Sequence, residues 1–219
     1  MNKLLTIYFF NKKQNSVLVL LGLLSLLLML LRVKITHDIY LLFLIWNLFL
    51  GYIPYFLSSK LKTAIPGYFS FYILLLGWIL FLPNAFYLIT DFVHLHYSSR
   101  FQFLFDAILL TSFTIAGFYA GIASLHHIHR LLEMKYTVKK SNSIVIVICY
   151  LSSFGVYLGR ILRFNSWDII NHPVALFGSL LDSITNPEAH VFTCILGTFI
   201  VIVYTIFFSF INKKQISAW

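Results

Sequence analysis

The stretch "FLPNAFYLITDFVHLHYSSR", residues 81–100, decides how the chain is read. It begins inside an apolar run and carries Pro83 and Asn84 within it. It ends in Asp91, His94, His96 and Arg100. Ionisable groups are costly in a bilayer, and where they occur they face the interior of a bundle or a water-filled cavity. If the helix runs on to about His94, then Asn84, Tyr87, Asp91 and His94 share one face. Pro83 lacks an N–H, so it frees the carbonyl of Ile79 and kinks the helix. A kinked helix with a polar stripe lines a cavity, because on a lipid-facing helix the freed groups would find no partner.

The rest of the chain supplies the membrane setting. Of its 219 residues, 60% are hydrophobic and 11% are charged, and the mean hydropathy is +0.87. A soluble domain carries about 25% charged residues. No room is left for a separate soluble domain, so the chain reads as one integral membrane domain over 1–219. A span needs about 20 mainly apolar residues. Six segments qualify, at 16–31, 39–57, 68–90, 103–125, 143–161 and 190–211. No small-residue cleavage site follows "LLMLLRVK", so the first is read as an uncleaved helix. Between the fifth and sixth lies "NSWDIINHPVALFGSLLDSITNPEAH", whose apolar part, 174–181, is too short to span. It reads as an interfacial or re-entrant helix with Trp167 as an interface anchor. The expected fold is an all-α, polytopic membrane bundle of six transmembrane helices plus this short helix.

The net charge of +9 suggests nucleic acid in a soluble chain. Here no basic, aromatic-interleaved module exists to bind it, and the lysines and arginines sit in short loops, where they set topology. Of the sixteen, eleven fall on the side of the N-terminal arm and five on the other, Arg32, Lys34, Arg100, Arg160 and Arg163. Both termini are therefore expected in the cytoplasm, with the opening stretch at the outer face. Cys149 and Cys194 form neither a metal pattern nor a disulfide framework. Gly117 and Gly121, and again Gly155 and Gly159, are four apart, a spacing that lets membrane helices approach closely. The abundant Phe and Tyr read as lipid-facing bulk and interfacial belts.

The fifth span ends in "YLGRILRFNSWD". By this topology Asp91, His94, Arg160, Arg163 and Asp168 converge at the outer end, and Asp106 reaches the same level as a partner for an arginine or a hydroxyl. Six of the seven acidic residues lie on this side, all but Glu133. Acidic residues contribute little to topology, so their gathering needs another reason. One is a structural ion pair of Asp91 with Arg160 or Arg163. Another is an anion site in which the two arginines grip a phosphate or carboxylate through forked hydrogen bonds. Asp91 and His94 are also candidates for metal ligation, against which the neighbouring arginines argue, or for acid–base work with His94 as base. "HHIHR", residues 126–130, looks metal-like, but such residues more often sit among lipid headgroups at the cytoplasmic interface. His172 and His190 read as solvated.

The segments "GWILFLPNAFYLITDFVHL" and "YLGRILRFNSWDI" resemble the signatures of a bacterial membrane-protein family, domain of unknown function 1361. The pattern falls on Pro83, Asn84, Tyr87, Thr90, Asp91, His94, Gly159, Arg160, Arg163, Asn165, Trp167 and Asp168, from about the second helix onward. The resemblance implies a multi-pass protein of the bacterial cell membrane and brings no activity with it. The residues themselves suggest an outer-facing polar pocket. Asp91 and His94 are its candidate catalytic groups. Arg160, Arg163, Asn84, Asn165 and Asp168 are its candidate ligand-binding groups, the ligand being an anionic or lipid-linked phosphate. No metal set or cofactor is assigned, and no nucleic acid is expected. A small-solute transporter is the main rival, disfavoured by the scarcity of ionisable residues in the middle of helices 1, 2 and 6. An accessory subunit, with the cluster serving only as a helix clasp, is the third reading.

Overall fold

A computed structural model describes residues 3–96, 99–164, 171 and 173–216, with side chains from 12 to 211 apart from those at 173, 175 and 176. The described residues are helical and contain no strand. In chain order the α-helices are α1 (Lys3–Thr36), α2 (Phe43–Leu61), α3 (Phe69–Tyr87), α4 (Arg100–Lys135), α5 (Val138–Arg160), α6 (Pro173–Thr185) and α7 (Pro187–Ile216). Short 3₁₀ segments precede α2 (Tyr40–Leu42) and follow α3 (Leu88–His94). Six stretches are long and apolar enough to cross a membrane, one each in α1, α4, α5 and α7 and one in each of α2 and α3 with its 3₁₀ segment. The fold class read from the sequence therefore holds, the short α6 included.

Local chemistry sets the helix starts. Ser99 accepts the Gln102 N–H (3.2 Å) and opens α4, and the Thr137 hydroxyl does the same for Lys140 at α5. Asn186 takes the Glu188 N–H (2.9 Å) ahead of α7, with Pro187 at the first helical position, where its missing N–H costs nothing. At 36 residues α4 is about 54 Å long, longer than a bilayer core of about 30 Å.

α4 is the central helix. In its spanning window 67% of residues are buried, against 22% in that of α7, and it packs against α1, α2, α3, α5 and α7. The core is built on Trp78, Leu82, Phe86 and Leu125 on one side and Leu44, Leu88, Leu109 and Phe113 on the other. Large apolar side chains such as Leu20, Leu30, Phe69, Leu76, Ile195 and Phe210 point outward, as suits a bundle solvated by lipid.

The two glycine pairs clamp α3 from opposite sides. A methyl on Gly117 would sit 2.8 Å from the Ala85 carbonyl, and one on Gly121 2.8 Å from the Phe86 ring. On α5, a methyl on Gly155 would sit 2.5 Å from Pro83 Cγ, and Gly159 lies against the Tyr87 ring. Close approach at Gly117, Gly121 and Gly155 holds the Pro83 segment between α4 and α5, whereas a methyl on Gly159 would make ordinary contact.

The end of α3 departs from the expected continuous α-helix. Beyond Tyr87 the chain tightens to 3₁₀ winding through His94. Three residues per turn bring Leu88, Asp91 and His94 into one column. Carbonyls of this segment find side-chain donors: Thr114 Oγ1 reaches Leu88 O (3.1 Å) and Thr90 Oγ1 reaches Tyr87 O (2.6 Å).

Candidate functional site

The ends of α1, α3 and α5 and the starts of α2 and α4 meet at one end of the bundle, which carries two charge clusters. In the first, Asp91 has no exposed surface. Its Oδ2 accepts from Asn47 Nδ2 and its Oδ1 from Arg160 Nη2, both at 2.9 Å. Arg160 also donates to the Thr90 carbonyl through Nη2, and to Tyr87 OH at 3.1 Å through Nη1. The guanidinium carbon lies 4.9 Å from the centre of the Tyr87 ring, a cation–π contact. Its Nε is buried and has no hydrogen-bond partner among the described residues, and 17% of the side chain is exposed.

His94 joins this cluster at its open edge. Its Nε2 faces Arg160 Nη1 at 3.4 Å and its Nδ1 meets Tyr40 OH at 2.9 Å. An arginine can only donate, so Nε2 carries the lone pair and the Nδ1–H donates to Tyr40. The ring also lies edge-on to Phe43. Asp91 therefore reaches His94 only through Arg160, and the groups that orient the imidazole are Tyr40 and Phe43.

In the second cluster Arg32, only 2% exposed, donates through Nε to Asp106 Oδ1 (2.9 Å) and through Nη2 to Asp38 Oδ2 (3.0 Å). Its Nη1 takes the Asp38 carbonyl (2.8 Å). Asp106 is thus an arginine's partner, one of the two roles expected of it. The backbone N–H of Tyr40 and the Arg32 guanidinium hold the Asp38 carboxyl below the usual carboxylate range.

Of the candidate site residues, the structure brings together Asp91, His94 and Arg160. Asn84 Nδ2 donates to the Phe81 carbonyl (3.2 Å) of its own helix. Arg163 is exposed, just past α5, with a left-handed φ of 61°. Asn165 and Asp168 lie outside the described residues, as do Trp167 and His172. Asn47, Tyr40 and Arg32 were not singled out from the sequence. Asn47 is the lone amide in the second apolar run and Arg32 the first charge after the leucine-rich one, signals that a search for interrupted apolar runs would have caught.

The opposite end of the bundle holds the histidines of "HHIHR", and they are not among lipid headgroups. His126, His127 and His129 are 3%, 3% and 2% exposed. His129 Nδ1 bonds Tyr204 OH on α7 (2.6 Å) and stacks on Phe208. Among the described residues no three His, Cys, Asp or Glu side chains are placed to hold a metal ion. The helix carries these histidines inward because α4 is central and buried on most of its sides.

Between the two ends the core is apolar. Among its few polar groups, Ser112 and Ser124 bond carbonyls of their own helix, and Trp78 Nε1 donates to Ser124. Two hollows of about 330 and 410 Å³ are apolar grooves on the flank, and neither is lined by a site residue.

The sequence profile of the proteins of unknown function DUF1361 matches residues 46–203. The chain belongs to this family. The match covers Asn47, Asp91, His94, Asp106 and Arg160 of the DUF1361 chain, while Arg32, Asp38 and Tyr40 precede it. No curated protein and no solved structure matches the chain.

Proposed function

We propose that this DUF1361 protein binds an anionic headgroup, such as a lipid-linked phosphate, at the outer end of its bundle. One observation carries the reading. The Arg160 guanidinium is fixed by Asp91, Thr90 and Tyr87 and reaches His94 at 3.4 Å, in a side chain that keeps 17% of its surface exposed. A fixed, part-desolvated guanidinium is pre-organised for a phosphate or carboxylate. Arg163, one turn beyond, adds a second exposed positive charge, so the site is not neutralised by Asp91. His94, with its lone pair directed at the guanidinium, is the candidate base, and Asp91 serves it indirectly by fixing Arg160. Asn165 and Asp168 are candidates to complete the site from the segment after α5. The excess of basic residues on the other side supports a reading in which this end faces outward from the cell membrane, with both termini inside.

A helix clasp is the second reading, and a specific observation favours it: both oxygens of Asp91 are spent within the protein. The two readings divide the cluster, with Asp91 and Asn47 as the floor and His94, Arg160 and Arg163 as the face. Transport draws no support from the apolar middle of the bundle.

Native mass spectrometry of the protein from micelles titrated with phosphatidylglycerol, phosphatidylcholine and a short polyprenyl phosphate tests the proposal. Preferential retention of the anionic lipids is expected, cut at least several-fold in the Arg163→Gln, His94→Asn double variant. Equal retention of all three by wild type, or no loss in the variant, would overturn it.

A further inference from the structure

All four Nη hydrogens of Arg160 have takers. Nη2 donates to the Thr90 carbonyl and to Asp91, and Nη1 to Tyr87 OH and to His94 Nε2. Three of these partners are oxygens. The fourth, His94 Nε2, is the farthest at 3.4 Å and belongs to a half-buried ring. An anion oxygen that comes to the guanidinium therefore takes the place of His94.

That exchange leaves the imidazole wrongly equipped. Its hydrogen is on Nδ1, bonded to Tyr40 OH at 2.9 Å, and Nε2 presents a lone pair. A lone pair beside an anion oxygen repels it. Two changes put a hydrogen on Nε2. A tautomer exchange keeps the ring neutral and requires Tyr40 to turn and donate to Nδ1. Uptake of a proton leaves Tyr40 accepting from Nδ1–H and gives a charge-assisted bond, about twice as strong as a neutral one. The second change is favoured by charge, since the arriving anion offsets the neighbouring guanidinium.

The groups that face His94 leave it free to titrate. Arg160 comes from α5, Tyr40 from the segment ahead of α2, and His96, whose Nδ1 meets the His94 carbonyl at 2.7 Å, from the same stretch of chain. Tyr87 and Asp91 are both held on Arg160, and Asp91 accepts through both carboxylate oxygens. From α2 come the neutral Phe43 and, through Asp91, Asn47. On α4, Arg100 is exposed at the helix start and Asp106 is taken by Arg32. Arginine stays charged, and tyrosine ionises only near pH 10. Imidazole is the side chain that ordinarily changes charge between pH 5 and 8.

We propose that an anionic headgroup binds at Arg160 together with one proton, taken from water onto His94 Nε2. Nε2–H and Arg160 Nη1–H then hold the same anion, with Tyr40 fixing the ring through Nδ1. This inference rests on the headgroup reading and adds the site's response to pH. Binding consumes a proton, so affinity is highest in acid and falls as the pH rises.

Calorimetric titration of the detergent-solubilised protein with a short-chain phosphatidylglycerol tests it, with phosphatidylcholine of the same chain length as the blank. The phosphodiester keeps one negative charge from pH 6.5 to 8, so the lipid does not titrate. Wild type should lose at least about fivefold of its affinity over that range, approaching about tenfold per pH unit for one proton per lipid. Heats measured in two buffers of different ionisation enthalpy count the protons directly, and more than about half a proton per lipid is expected at pH 7.5. His96→Asn should keep this uptake. No uptake by wild type, uptake abolished by His96→Asn, or uptake that persists in His94→Asn would overturn the proposal and leave the headgroup reading standing. No preference for phosphatidylglycerol at any pH would overturn both.

Discussion

Asp91 and Arg160 offer a double-mutant cycle whose arms the structure ranks in advance. Removing one partner of a buried pair typically costs about 3–5 kcal/mol, because the other charge is left uncompensated, whereas replacing both is often near neutral. Arg160→Gln strands an anion that has no exposed surface and one remaining donor, Asn47. This change belongs at the upper end, about 5 kcal/mol. Asp91→Asn leaves a guanidinium that is 17% exposed and still bonded to the Thr90 carbonyl and Tyr87. It belongs at the lower end, about 3 kcal/mol. In the double variant both charges are gone, and the amide oxygen introduced at position 91 still accepts from Asn47, so the cost should fall below that of Arg160→Gln alone. The coupling is then about 3 kcal/mol or more, far outside the few tenths seen for independent sites. At about 2–4 °C per kcal/mol for a chain of this size, the worse single change lowers the midpoint by roughly 10–20 °C. Thermal unfolding in one detergent, with SDS titration as a second probe, reads all four proteins. Additive losses would refute the reasoning, and so would Asp91→Asn costing more than Arg160→Gln.

Two further outcomes follow from packing and from charge. Gly155→Ala places a methyl 2.5 Å from Pro83 Cγ and should destabilise by about 1–3 kcal/mol, while Gly178→Ala, with nothing within 4 Å, should leave the same SDS-unfolding midpoint unmoved. Lys62 has a folded-state value of about 8, below its ordinary value of about 10.4: between these the unfolded chain binds more protons, so stability rises with pH. Lys62→Met should accordingly raise the midpoint most below pH 8, with the gain shrinking towards pH 10.5, and a gain independent of pH would contradict the burial of the ammonium.

Hydrophobicity and length determined much of this protein from its sequence alone. Six apolar runs of spanning length admit only a helical bundle, because every backbone group must be satisfied within its own segment in lipid. The glycine spacings announced close helix contacts, and Gly117, Gly121 and Gly155 make them against α3 and its 3₁₀ extension, while Gly159 would tolerate a methyl at ordinary contact distance. Motif spacing also brought Asp91, His94 and Arg160 to one end of the bundle.

What the sequence left open was pairing, since partners in a bundle come from helices far apart in the chain. Asp91 was matched with Arg160 or Arg163 and with His94, but its second oxygen goes to Asn47, 44 residues away. Arg32 finds Asp106 across 74 residues. The winding of 88–94 as 3₁₀ placed Asp91 and His94 differently from the α-helical face their spacing suggested. The histidines of 126–129 look like surface residues as a string, since polar character alone says outside. They are inside because α4 is enclosed by its neighbours, and the number of helices that surround a given helix is a property of the assembled bundle.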